Sequence, residues 1–158
     1  KILNNKQDFE EYFKRIGPEA LDKGFNILYL KKKIKNRKKN IKNFLLDQKI
    51  VSGIGNIYVN EILFKSQISP MKSVKELRQI DLKKIIKFSR LILRNAIRFG
   101  GSSIKDFKGI SGRGGSFQTK FNVYDRENEK CKENKCKGII QKRYISNRST
   151  FICNFCQK

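Results

Sequence analysis

The stretch Ser52-Gly53-Ile54-Gly55-Asn56-Ile57-Tyr58-Val59-Asn60-Glu61-Ile62-Leu63-Phe64 joins a two-glycine turn to a run apolar enough for a well-buried helix. Ile57, Glu61 and Phe64 follow one another at spacings of four and three and mark one helical edge, and Ser69-Pro70 ends the run. Backbone N–H groups at a helix start attract phosphate, and glycines let it approach. Asn56 adds a side-chain donor at that start. A lone Gly-x-Gly is weak evidence, and by itself it reads as a tight turn between packed helices.

The segment before this turn is cationic. Residues 31–42 hold eight basic residues and no acid, and Phe44-Leu45-Leu46 follows. Further back, Phe9, Tyr12, Phe13 and Ile16 predict a helix over residues 8–16. Gly17-Pro18-Glu19 breaks that pattern, with Pro18 suited to the first turn of a new helix. On the other side, Asp81 is the expected N-cap of the longest helix, which runs to about Phe99 before Gly100-Gly101. Its core face is Leu82, Ile85, Ile86, Ile92, Leu93 and Ala96; Lys83, Lys87, Arg90, Arg94 and Arg98 form a cationic stripe, expected to be a solvated face. Residues 109–115 contain four glycines and suit neither regular element. Residues 117–124, 139–145 and 149–152 have the β-branched and aromatic content of short strands.

The chain has 158 residues, 37 Lys+Arg against 14 Asp+Glu and a formal charge of +23, and at 38% hydrophobic it can bury one modest core. Such a surplus favours polyanionic partners, nucleic acid first and an anionic membrane surface second. Lysine outnumbers arginine and Asn and Ile are abundant, a bias that A+T-rich coding also produces, so charge alone does not settle the partner. No apolar run approaches the ~18 residues of a membrane span, and no signal-peptide pattern is present. The absence of histidine excludes Ser-His-Asp and Cys-His catalytic sites, a His-ligated metal and a His general base. Met71 is the only methionine, so a chain starting at Lys1 reads as a piece of a longer protein.

All four cysteines lie in the last 28 residues, in the order Cys131-x4-Cys136-x16-Cys153-x2-Cys156. Two close pairs separated by a hairpin-sized interval suit one tetrahedral Zn²⁺, each pair forming a knuckle and the interval a β-hairpin. Four thiolates leave the ion with a net charge of −2, which Lys130, Lys132, Lys135 and Lys137 offset. The competing reading, two disulfides in a secreted module, does not suit a chain whose first 130 residues have no cysteine. A site closed by four protein ligands makes the metal structural rather than catalytic.

Taken together, these motifs resemble a known family. Arg37-x4-Lys42-x2-Leu45-Leu46-Asp47-Gln48, then Gly53-x-Gly55-Asn56-Ile57-Tyr58, Glu61 and Leu63-Phe64 closely resemble the helix–two-turn–helix segment of bacterial formamidopyrimidine-DNA glycosylase. The order continues with Gly100-Gly101-Ser102-Ser103-Ile104-x-Asp106-Phe107, Gly115-x-Phe117-Gln118 and Val123-Tyr124. It closes with Arg148-Ser149-Thr150-Phe151-x-Cys153-x2-Cys156-Gln157, which looks like the family's zinc finger. The likeness runs from about Gly17 to Lys158.

The resemblance implies a mainly α fold: a helix–two-turn–helix domain followed by a small four-cysteine zinc-finger β-hairpin, the N-terminal catalytic β-sandwich domain being missing. Residues 1–16 would be a remnant of that domain or a linker, residues 17–108 the DNA-binding helical domain, and residues 109–158 the lesion-capping loop and zinc finger. The implied activity is base-excision repair of duplex DNA by a glycosylase and abasic-site lyase that removes 8-oxoguanine and formamidopyrimidines. The family flips the damaged nucleotide out of the stack. Its N-terminal proline then attacks the sugar as an amine nucleophile, so this chain would supply the DNA clamp without the nucleophile.

Residue by residue, the resemblance makes Asn56, with Gly53 and Gly55 at its helix start, a phosphate binder beside the lesion. It makes Arg37 and Lys42 DNA contacts at the active-site cleft. Arg148 matches the zinc-finger arginine that grips phosphates flanking the flipped nucleotide and is credited with proton donation in δ-elimination, which makes it the one implied catalytic residue here. A guanidinium can hold a phosphate bidentately. Residues 112–117 match the loop closing over 8-oxoguanine, with Arg113 where many members carry Lys. Three departures stand out: four residues rather than two inside the first knuckle, Ser116 at an often aromatic position, and Asn147 where Gly is common, Asn being tolerant of the left-handed region. The expected partner is damaged double-stranded DNA and no membrane, for a monomer in the bacterial cytoplasm with one structural Zn²⁺. Two other readings stay open: an endonuclease VIII-type glycosylase acting on oxidised pyrimidines, and a non-catalytic zinc-ribbon nucleic-acid-binding module.

Overall fold

The computed structural model describes residues 15–102 and 115–158. Most of the helix expected over residues 8–16, and the loop segment 103–114 with Arg113, lie outside the described residues. The described part is mainly helical with one small antiparallel hairpin, as the sequence leads one to expect.

Pro18 does not start a helix. Residues 18–26 instead run as turns, with Ser52 N–H donating to the Pro18 carbonyl and Gly24 N–H to the Asp22 carboxylate. Such local side-chain acceptors compete with helical hydrogen bonds. Helix α1 (Ile27–Ile34) begins only after Asn26, whose side-chain oxygen accepts from Tyr29 N–H. Helix α2 (Ile41–Leu46) is capped in the same way by Asn40. Two turns follow: the Asp47 carbonyl accepts from Ile50 and Val51, then Gly53 takes φ +82°, a left-handed conformation that glycine adopts without cost. Helix α3 (Asn56–Ser66) starts directly after Gly55 and is the buried centre of the fold, touching α2, helix α4 (Gln79–Arg98) and the hairpin.

Helix α4 starts two residues before the expected cap. Asp81 sits in the first turn rather than ahead of it, and its carboxylate reaches back to accept from Arg78 N–H at 2.9 Å. The signal was an acid near a helix start, which serves equally from either side of the cap. The expected core face is correct: Leu82, Ile85, Ile86, Ile92, Leu93 and Ala96 are all buried. Of the cationic stripe, Lys83, Lys87, Arg94 and Arg98 are exposed, whereas Arg90 folds back to donate to the carbonyls of Asp22 and Phe25.

The tail differs from expectation at one place. Residues 117–124 are not a strand: a short 3-10 turn (Phe117–Lys120) leads into irregular backbone. Its N–H groups have a partner that no local pattern announces. The buried Glu61 carboxylate accepts from Asn122 N–H, Val123 N–H, Tyr124 N–H and Asn122 Nδ2 at 2.9–3.0 Å. Strands β1 (Ile140–Ile145) and β2 (Arg148–Cys153) pair from Ile140↔Cys153 to Ile145↔Arg148. Ser146 and Asn147 both adopt positive φ between them, the geometry of a two-residue hairpin loop. Phe64, Val123, Ile140, Phe151 and Cys153 form a second small core beside the main one.

Glu61 therefore carries the segment that enters the hairpin. Removing its carboxylate leaves three backbone donors without their partner, and each buried orphan costs about 1–3 kcal/mol. Only the Val123 N–H is fully buried among them, so Glu61→Ala should lower unfolding stability by about 1–3 kcal/mol in urea titrations, with Glu61→Gln, which keeps one acceptor oxygen, falling in between. Equal stability of all three proteins would show that water replaces the carboxylate.

Candidate nucleic-acid interface and metal centre

One backbone carbonyl gathers two of the polar residues singled out in the sequence. The Ser149 oxygen accepts from Lys42 Nζ at 2.8 Å and from Asn56 Nδ2 at 3.1 Å. Lys42 Nζ also donates to Thr150 Oγ1 at 2.7 Å. Arg148, the residue before this carbonyl, is exposed and near enough for its charge to act on Lys42. Lys42 itself is 0% exposed, so its stem lies in the core and its ammonium reaches the hairpin from inside. Burial pulls its pKa down to about 8, and the Arg148 guanidinium contributes to the same shift.

Asn56 opens α3 at the same place. Its Nδ2 has two hydrogens, of which the Ser149 contact uses one. Gly55 provides no side-chain cap, so no side chain of that residue covers the first-turn N–H groups of α3, and a Cβ at Gly53 or Gly55 would meet nothing within 4 Å. The two glycines thus leave an open approach to a helix start. Gln48 braces the turn, its Nε2 donating to the Ile54 carbonyl and its Oε1 accepting from Gly53 N–H. Arg37 follows α1, half-buried, and is electrostatically close to Asp47. The structure therefore brings Lys42, Asn56 and Arg148 together beside Gly53 and Gly55, whereas Arg37 is placed by its charge against Asp47 and Tyr29; Arg113 lies outside the described residues.

The four cysteines form a cluster. Their Sγ atoms all lie within 4.8 Å of one another, with Cys131–Cys156 at 3.8 Å and Cys136–Cys153 at 3.6 Å. Tetrahedral thiolates at about 2.3 Å from an ion sit about 3.8 Å apart, so the set fits a tetrahedral metal. The same separations are far from the ~2.05 Å of a disulfide. Gly138 is required here, since a Cβ would come within 2.5 Å of Cys153 Sγ and 3.3 Å of Cys136 Sγ. Four thiols cannot all ionise side by side without a cation. Burial pushes Cys131 up to about 11 and Cys156 higher still, and the neighbouring Cys153 adds to both. Cys153 is buried too, but N–H groups of Cys156 and Phe155 and neighbouring thiols hold it below the usual value. The widened first knuckle closes through Cys136 N–H on the Glu133 carbonyl, with Lys135 at positive φ. Its extra length places Glu133 on Lys65 of α3 at 2.6 Å.

Sequence reasoning missed the residues that hold this site in shape. Asn60 is fully buried; its Nδ2 donates to the Asn56 carbonyl at 2.7 Å and its Oδ1 accepts from Phe151 N–H at 2.8 Å. One amide thus spans the helix start and strand β2. Gln157 does the same at the chain's far end, accepting from Cys153 N–H and donating to the Ile68 carbonyl. The available signal was polarity out of place: an amide followed by an acid inside an apolar helix must find buried partners.

Residues 16–108 match the formamidopyrimidine-DNA glycosylase H2TH domain family. Curated relatives include formamidopyrimidine-DNA glycosylases of Caulobacter vibrioides, 43% identical over 99% of this chain and 54% of the relative, and of Prochlorococcus marinus subsp. pastoris, 40% identical over 90% and 48%. The chain spans about half the length of the curated relatives it matches. Among solved structures, the MutM (Fpg) protein of Thermus thermophilus superposes with a TM-score of 0.87 at 30% identity, over 98% of this chain and 58% of that one. The Lactococcus lactis Fpg in complex with abasic-site DNA gives 0.86 at 35% identity, over 97% and 56%.

The depressed pKa of Lys42 makes the hairpin attachment pH-dependent with a definite sign. Between about 8 and the ordinary lysine value of 10.5 the folded chain binds fewer protons than the unfolded chain, so Lys42 favours folding more as pH rises through that window. Below about 8 both forms are protonated and the slope vanishes. The stability of the protein minus that of Lys42→Met should climb from pH 8 upward in denaturant titrations. A difference flat in pH would mean the ammonium is better solvated than its burial implies.

Proposed function

Because the chain belongs to the formamidopyrimidine-DNA glycosylase H2TH-domain family, we propose that it is the DNA-gripping half of a bacterial base-excision glycosylase and abasic-site lyase acting on oxidised purines in the cytoplasm. The observation that carries this reading is the convergence of Lys42, Asn56 and Arg148 at one corner beside the uncapped start of α3. A backbone nest, an amide with a spare hydrogen and an exposed guanidinium form a set of donors suited to a phosphodiester and to no particular base. The relative solved with abasic-site DNA supports the choice of damaged duplex as ligand. The helical domain, which makes up most of the chain, argues against a free-standing zinc ribbon, and the names of the relatives favour this glycosylase over an endonuclease VIII type.

In this reading the residues divide the work. Arg148 grips the phosphates next to the flipped nucleotide and serves as proton donor in elimination, the latter on the strength of the family likeness. Gly53, Gly55 and Asn56 present N–H groups to a neighbouring phosphate. Lys42 holds the Ser149 carbonyl from within and adds positive charge behind Arg148, while Arg37 flanks the cleft. The four-cysteine cluster takes one Zn²⁺, which is structural: it ties the two knuckles together and fixes the hairpin that bears Arg148. This chain offers the clamp, and we assign glycosylase and lyase chemistry to the whole protein.

Anisotropy titrations on duplex DNA bearing an abasic-site analogue, repeated over a range of salt, test the clamp. The chain should bind with steep salt dependence and give no borohydride-trapped adduct. Arg148→Ala should weaken binding alike for different flanking sequences and reduce the log K against log salt slope by about one. Asn56→Ala should weaken it with little change of slope, since the amide is neutral. A change of sequence preference with the salt slope intact would rule out the phosphate role of Arg148.

Elemental analysis should find one zinc per chain. Cys153→Ser should abolish stoichiometric zinc and unfold the hairpin while helical circular dichroism persists, because apparent zinc energies of about 10–16 kcal/mol exceed what a tail this small can supply by packing. A metal-free chain with an ordered hairpin would contradict this.

A further inference from the structure

A second feature shares no lining residue with the Ser149 corner. Between the start of α1 and the middle of α4 lies an open groove of about 840 Å³. Its apolar surface comes from Ile27 and Leu28 on one side and Ile86 and Leu91 on the other. Leu28 is 80% exposed and Leu91 47%, so two large aliphatic side chains face water across the same recess. Lys83, Lys87, Arg94 and Arg98 stand on its rim. Among the described residues none of these four has an acidic partner and no carboxylate lines the groove. Arg90 is turned to the Asp22 and Phe25 carbonyls, which fixes the turn before α1 against α4 and makes the groove preformed.

We infer that this groove docks a short acidic segment of another protein that carries bulky apolar residues at helical spacing. The choice follows from the two halves of the lining. Exposed aliphatic surface in a concave site calls for apolar side chains, and a helix-in-groove ligand supplies them at i, i+3, i+4 and i+7. A rim of cations without acidic partners calls for carboxylates beside those side chains. A nucleic acid satisfies the rim alone and would leave Leu28 and Leu91 against phosphate and sugar. A second copy of this chain is disfavoured, since each copy carries a formal +23. A flat lipid surface does not enter a recess.

The inference is independent of the proposed glycosylase role and has its own readout. A fluorescent peptide of Glu and Asp residues with Leu and Phe at i, i+3, i+4 and i+7 is titrated with the metal-loaded chain and followed by anisotropy. Leu28→Ser and Leu91→Ser, both on exposed positions, should each weaken peptide binding by about tenfold and leave duplex binding unchanged. A peptide of the same composition with the apolar spacing scrambled should bind correspondingly weakly. No binding of the patterned peptide, or undiminished binding by the two serine variants, would overturn the proposal. So would displacement of the peptide by duplex DNA together with loss of duplex binding in Leu28→Ser, an outcome that would make the groove part of the nucleic-acid track.

Discussion

Two neighbouring side chains on α3, Asn60 and Glu61, hold the tail of the protein to its helices by accepting backbone N–H groups that have no strand partner. Glu61 takes the N–H groups of residues 122–124, and Asn60 takes that of Phe151 in the middle of β2. A lone two-stranded hairpin is at best marginally stable in water, and the five-residue core beside it is small. The hairpin therefore depends on polar anchorage to a helix that is itself fully supported. Lys42 adds a third anchor at Ser149 and Thr150, and Gln157 a fourth at Cys153. The first three join a side chain buried in the helical domain to main chain in the tail, and Gln157 runs the other way, from the tail to the Ile68 carbonyl; such bonds specify position more sharply than apolar contact does.

This arrangement explains which parts of the protein could be read from residues alone. Helices α3 and α4 announced themselves through apolar periodicity, because their burial follows from local spacing. The cysteine pairs did so through the geometry of a knuckle. Residues 117–124 did not, because their composition of Phe, Val and Tyr fits a strand and only a distant carboxylate decides otherwise. Lys42 shows the same limit from the other direction. It stands at the end of a basic run whose other members are mostly exposed, and nothing nearby in sequence marks it as the one buried at 0% exposure. Its burial depends on a hairpin more than a hundred positions later in the chain, and contacts of that range leave no local period.

The corner at Ser149 gains its character from that burial. A solvated lysine next to Arg148 would be screened and mobile, and its field would be weak. Placed inside, the Lys42 ammonium is fixed by two oxygens and offers its charge to the same side as the guanidinium. The mutual repulsion of the two cations contributes to the lowered pKa of Lys42, after the larger effect of burial. Under the proposed role a polyanion would meet the Lys42 ammonium already fixed by its two oxygens. Preorganisation of this kind favours binding because the ordering cost has been met during folding.

The cysteine cluster and the buried anchors act at opposite ends of the same two strands. The cysteines gather Cys153 at the end of β2 with both knuckles, whereas Lys42, Asn56 and Asn60 hold β2 from Ser149 to Phe151. Either alone would leave a hairpin free to pivot about one fixed point. With both, the short turn at Ser146-Asn147 is held in place, and the register Ile145↔Arg148 closes the last rung of the ladder beside it. The widened knuckle reinforces the far end, as Glu133 meets Lys65 near the C-terminus of α3 while Asn56 meets Ser149 at its N-terminus. Helix α3 is in that sense a ruler: the hairpin is pinned near both ends of one rigid element, and the distance between the cysteine cluster and the Ser149 corner is set by the length of that helix rather than by the tail itself.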